Sequence, residues 1–197
     1  MKLTQRPMPN YGLIIDWETS GSNWGGDSTK DFQGLAFGAI VFNLSTFEPV
    51  DKLYVELKFD AERYKWQDAA ERVHGLTREH LEANGVTREE AAVLFGEFFL
   101  KYFAPDETVF FLGHHANFDI AFTEQLLGEF GLMFKVNPSI LDTSSAGYIM
   151  FGIHKSQDLF NFLQLNEERK VHNALEDCEL TLQAAAMMRK IVNSVFS

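Results

Sequence analysis

"GLIIDWETSG", residues 12–21, is an apolar run that ends in two acids. Leu13, Ile14 and Ile15 read as a buried strand. Side chains alternate faces along a strand, so Asp16 and Glu18 project together if the strand persists that far. Two ionised carboxylates side by side repel, and partial burial sharpens the repulsion. A cation between them reverses the sign of that interaction. The other reading is a strand fraying into a polar turn, and this stretch alone leaves both open.

The chain has 197 residues, 46% of them hydrophobic, which suits one α/β domain spanning residues 1–197. Nineteen phenylalanines point to a core built on aromatics. One cysteine, Cys178, excludes an internal disulfide framework and fits a reducing compartment. The opening "MKLTQRPMPNYG" lacks the apolar stretch of a signal peptide, and no run is long enough to span a membrane. A soluble, cytoplasmic protein is the expectation. The net charge of −11 argues against broad neutralisation of duplex phosphates. It leaves room for a nucleic-acid enzyme, because divalent metal supplies local positive charge.

Along the chain, 20–34 reads as a long Gly/Ser/Asp loop carrying Trp24. Leu35–Phe42 and Leu53–Phe59 read as an antiparallel hairpin. Short helical pieces fall within 68–83. Residues 86–103 form an amphipathic helix with Thr87 and Glu90 as its capping box. A buried strand at 107–113 leads into a helix at 117–131, with Asn117 at the cap and Gly131 as the stop. A short strand near Ser139–Leu141 and helices near 143–150, 156–164 and 173–192 complete the pattern. Strands alternating with helices give an α/β sheet with some antiparallel pairing.

Three further groups carry acids. In "GHHANFD" (113–119), Asp119 falls in a helix's first turn, where the macrodipole favours a carboxylate. In "HNALED" (172–177), Asn173 and Glu176 have capping-box spacing, which leaves His172 in the preceding loop. Asp177 lies one turn in, on the face of Leu180 and Thr181, where an acid needs a partner. In "LDT" (141–143), Asp142 reads as an ordinary helix cap. Ligands of open α/β sheets bind beyond the carboxyl ends of the strands. Asp16, Glu18, Asp119 and Asp177 gathered there make an oxygen-only site with His172 at its rim. Such a site suits two Mg²⁺ or Mn²⁺ ions, the clamp for in-line phosphodiester cleavage.

"DWET" (16–19), "GHHANFD" (113–119) and "HNALEDCELT" (172–181) resemble the three exonuclease motifs of the DEDDh, or DnaQ-like, 3′–5′ exonucleases. "VHGLT" (73–77) resembles the "IHGIT" segment that many members carry. The likeness runs from about Tyr11 to Met188. It implies a ribonuclease H-like fold, a mixed five-stranded sheet flanked by helices. It implies that Asp16, Glu18, Asp119 and Asp177 bind metal and that His172 is the general base. It implies that Thr19 and His74 line the terminal-nucleotide pocket. Trp17 departs from the family's smaller residue between the acids, and His115 stands where an asparagine is usual.

The implied activity is metal-dependent release of nucleoside monophosphates from single-stranded 3′ ends, DNA favoured. The alternatives are an RNA-trimming enzyme, oligoribonuclease-like or RNase T-like, and a non-catalytic binding module with the same fold. A polymerase or a second copy of the chain is the candidate protein partner.

Overall fold

The computed structural model describes residues 10–23, 25–165 and 171–196. The opening strand, β1 (Tyr11–Thr19), is continuous through both acids. It pairs antiparallel with β2 (Gly34–Asn43), which pairs antiparallel with β3 (Pro49–Glu56). On its other side β1 runs parallel to β4 (Thr108–Gly113). The hairpin expected from the sequence is therefore β2–β3, with its second strand ending at Glu56 rather than Phe59.

The fifth position of the sheet is divided. β5 (Lys135–Val136) pairs with Thr108 and Val109 of β4, and β6 (Leu141–Asp142) pairs with its Leu112 and Gly113. Pro138 lies between the two pieces. It has no N–H to offer a ladder, which accounts for the break. The strand expected near Ser139–Leu141 is β6, displaced by about a residue.

Helices cover both faces. α1 (Asp68–His74), α2 (Arg78–Asn84) and α3 (Arg88–Leu100) follow β3, and α3 opens with the Thr87–Glu90 capping box. α4 (Asn117–Glu129) follows β4. Its cap position is held by Ala116, which makes no side-chain cap, and Asn117 is its first helical residue, a correction to the cap expected from the sequence. α5 (Thr143–Phe151), α6 (Ser156–Phe162) and the long α7 (Ala174–Phe196) complete the chain.

The alternation along β1 sorts its side chains between these layers. Leu13, Ile15 and Trp17 join Phe37, Phe95 and Phe122 in the core under α3 and α4. Ile14 joins Ile40, Cys178 and Leu182 under α7. Asp16 and Glu18 continue the row of Ile14, so they belong to the face that α7 covers. Burial on both faces explains why β1 begins as an uninterrupted apolar run rather than an alternating one.

α7 packs across β1 to β4, and its first turn comes tightly against β2. Asp16 is paired in register with Gly38 on β2. A Cβ at Gly38 would lie 2.5 Å from Leu175 Cα and 2.6 Å from the carbonyl carbon of Ala174. Only glycine lets the start of α7 rest this close beside Asp16. One residue row further, the Cys178 thiol donates to the Gly38 carbonyl at 3.3 Å. Gly38→Ala should therefore lower unfolding stability by about 1–3 kcal/mol through overpacking, and it should displace Asp177. Urea unfolding of the two proteins checks this, and an unchanged midpoint would show that α7 is not locked here.

Candidate active site

The acids predicted from separate motifs line one pocket of about 360 Å³. Asp16 and Glu18 come from β1, Asp119 from α4, Asp177 from α7, and His172 from the loop before α7. His114, His115, Phe118, Ser156 and Phe160 complete much of the wall. Ligand atoms of Glu18, His172 and Asp177 all lie within 4.8 Å of one another. His172 Nδ1 is 3.2 Å from Asp177 Oδ2.

Asp119 is the most buried of the four acids. It is 4% exposed, and its Oδ1 accepts the Trp17 backbone N–H at 3.0 Å. Trp17 points to the opposite face, where its indole N–H donates to Thr123 Oγ1 at 2.9 Å. Thr123 in turn donates to the Asp119 carbonyl at 2.8 Å. Trp17 packs on Phe37 with ring centroids 4.9 Å apart, and Gly34 makes room for it, since a Cβ there would fall 2.3 Å from the indole. The tryptophan that departs from the family pattern thus ties the end of β1 to the first turns of α4. Burial pushes the Asp119 carboxyl well above the usual aspartate range, opposed by the Trp17 N–H and reinforced by the charges of Glu18 and Asp142.

The segment "VHGLT" holds the rear of the site. The His74 ring is buried, and Leu76 N–H donates to its Nδ1 at 3.0 Å. The proton therefore sits on Nε2, which donates to the Thr19 carbonyl at 3.2 Å. Burial, the largest cause, holds this imidazole below its ordinary pKa and so neutral. The neighbouring Val73 carbonyl accepts the His172 backbone N–H at 3.0 Å. One turn thus fixes both the end of β1 and the loop carrying His172. Thr19 donates its hydroxyl to the Gly21 carbonyl, and neither it nor His74 is part of the pocket wall.

His115 has a left-handed backbone, φ 60°. Histidine, like asparagine, is enriched in that region, so the exchange at this position keeps the turn. His114 beside it donates from Nε2 to the His154 carbonyl at 3.0 Å. Burial first, then the neighbouring His115, pushes its pKa down to about 4. Asp142 serves as the expected cap, accepting from Ser145 N and Ala116 N. His80 and His154 are exposed and Cys178 is buried. Trp24 lies outside the described residues.

Thr181, four residues after Asp177, reaches the wall by helical spacing that the sequence does display. Ser156 and Phe160 have no sequence signal, because only the packing of α6 brings them to the pocket.

The exonuclease family profile, RNase T, matches residues 13–185. The chain belongs to this exonuclease family. Among solved structures, the exonuclease resembles the nuclease domain of 3′hExo, a DEDDh family member bound to rAMP, at 15% identity and TM-score 0.70, covering 95% of each chain. It also resembles E. coli exonuclease I in complex with a dT13 oligonucleotide, at 17% identity and TM-score 0.72. There the exonuclease is covered over 96% of its length but spans only 42% of the other chain. A moderately thermophilic exonuclease I from Methylocaldum szegediense matches at 17% identity and TM-score 0.69, again over 40% of that chain. Comparison with curated proteins gives no significant match. The fold is the ribonuclease H-like fold of DEDDh exonucleases.

The donor set fits hard divalent cations, being carboxylate oxygens with one imidazole, and like charges this close are unfavourable without one. An aspartate whose pKa is raised by folding destabilises the metal-free fold increasingly as pH climbs above its unfolded value, about 4. Asp119→Asn should thus unfold later than the parent in EDTA at pH 7, with the gap closing toward pH 4. Thermal unfolding across that range checks the sign, and a gap that widens on acidification would refute it.

Proposed function

We propose that this exonuclease removes nucleoside monophosphates one at a time from the 3′ end of single-stranded nucleic acid, DNA favoured, with two Mg²⁺ or Mn²⁺ ions. The observation that carries the reading is the convergence of Asp16, Glu18, Asp119, Asp177 and His172 on one pocket from four separate elements. Binding alone needs no imidazole beside the carboxylates, so the complete set favours a catalyst over a binding module.

Asp16, Glu18, Asp119 and Asp177 would hold the ions. Bound there, divalent cations polarise the phosphodiester and stabilise charge on the attacking and leaving oxygens. His172, with 39% of its side chain exposed, accepts the proton of the attacking water. Its carboxylate neighbour Asp177 stabilises the imidazolium that results. Trp17 and Thr123 keep the Asp119 carboxylate turned to the pocket. Phe118 and Phe160 offer apolar wall for the terminal sugar or base, with His115 as a further substrate contact, while Thr19 and His74 act from behind the wall by holding the end of β1.

A ribose-directed activity has support of its own, since 3′hExo bound to rAMP aligns over 95% of both chains. A strand series differing only at the 2′ position separates the two readings. Among the described residues no helix is long and apolar enough to cross a membrane, and the lone, buried cysteine fits a cytoplasmic setting.

With Mg²⁺ or Mn²⁺, a 5′-labelled single strand should shorten as a ladder from its far end, and excess EDTA should stop it. His172→Ala should cut kcat by about 10²–10⁴-fold. It should also remove the rise in rate across the range where imidazoles ordinarily titrate, about pH 6–7. The measurement is kcat against pH at saturating metal for both proteins, and near-normal turnover in the variant would remove His172 from the chemistry.

A further inference from the structure

The corner between α5 and α6 borders the pocket without entering the proposed chemistry. Gly152 ends α5 in the left-handed conformation, φ 73°, and the chain folds back over the helix. The return is tight, since a Cβ on Gly147 would lie 2.7 Å from the Ile153 carbonyl oxygen. The next carbonyl, that of His154, accepts from His114 Nε2 at 3.0 Å and from Ser144 Oγ at 2.9 Å. His114 lines the pocket, and Ser144 Oγ is 3.4 Å from Nε2 of His115, which also lines it. The corner is therefore fastened to the pocket rim.

Two groups on this fastened corner face water. Tyr148 is 63% exposed, its ring edge-on to that of His154 at 6.4 Å between centroids. It lies four residues after Ser144, so it shares that residue's helix face, one turn further from the pocket. Lys155 is exposed and, like Lys135 and Lys190 but unlike five other lysines, makes no ion pair among the described residues; of these three it alone adjoins a residue lining this pocket, Ser156. In a chain of net charge −11, an exposed ammonium on the residue before Ser156 of the pocket wall is a local point of attraction for phosphate. The exposed ring of Tyr148, against His154, the residue before Lys155, offers a base its π-face, and stacking of that kind tolerates any sequence.

We propose that this corner binds the single strand upstream of the scissile bond, one base stacking on Tyr148 and a phosphate meeting Lys155. The proposal rests on the exonuclease reading, because the occupant is the strand whose 3′ end lies in the pocket. It predicts that affinity grows with strand length through contacts outside the pocket.

The test is fluorescence anisotropy with 5′-fluorescein oligothymidylates of about two, four and eight nucleotides, in Ca²⁺ to slow turnover. Tyr148→Ala should weaken binding of the longest strand about tenfold and flatten the length dependence, as loss of one stacked base does. Tyr148→Phe, which keeps the ring, should retain the affinity. Lys155→Ala should lower the slope of log affinity against log salt by about one. Thermal unfolding of each variant establishes that it is folded. Equal affinity of Tyr148→Ala and the parent for the longest strand overturns the corner, and so does equal loss in Tyr148→Ala and Tyr148→Phe. Failure of the parent to release mononucleotides from the same strand in Mg²⁺ or Mn²⁺ overturns the exonuclease reading instead, whatever the anisotropy shows.

Discussion

The approach of α7 to β2 at Gly38 governs the rest of the structure. Backbone meets backbone there with no room for a single methyl group. That contact sets the depth at which the first turn of α7 lies and hence where Asp177 stands relative to Asp16, Gly38's partner in register. Carboxylates a few ångström apart resist such an arrangement, and neighbouring burial in the α7 core holds it. Ile14, Ile40, Cys178 and Leu182 supply the apolar area that offsets the repulsion.

The second constraint comes from the other face. Asp119 belongs to α4, which packs on the side of the sheet away from α7, and it reaches the pocket around the end of β1. Trp17 makes the reach rigid, with its backbone bound to the carboxylate and its indole bound to the same helix one turn on. A smaller residue at position 17 would leave the Gly34 hollow unfilled and Thr123 Oγ1 without this donor. The two layers are thus registered to each other at the site itself.

Much of this was legible before any coordinates. The apolar run of β1, the capping box of α3 and the order of the acidic motifs are local signals, and the structure repeats them almost residue for residue. What the sequence hid was tertiary. The long loop after β1 returns antiparallel beside it, a pairing without a short-range turn signature. The break in the fifth strand follows from Pro138, visible only once the ladder partners are known. Ala116 rather than Asn117 occupies the cap of α4, because Asp142 from a distant segment satisfies the Ala116 N–H. Among the site residues, the four acids and His172 were readable from spacing and resemblance. Ser156 and Phe160 arrive only through the packing of α6. His74 was readable as a residue of its motif, but its task of bonding the Thr19 carbonyl needed the fold.

The hydrogen bond from Trp17 to Asp119 joins residues 102 positions apart in sequence. Asp177 enters from still further along the chain. During synthesis, a growing polypeptide exposes Asp16 and Glu18 long before either partner has left the ribosome. Parallel pairing of β1 with β4 must also wait for the intervening segment, which makes it a late and slow event. The pocket that gathers the four acids and His172 is then one of the last features to form, and a half-folded chain lacks it. Connectivity alone postpones the pocket, since no stretch of chain that stops short of α7 carries all five residues.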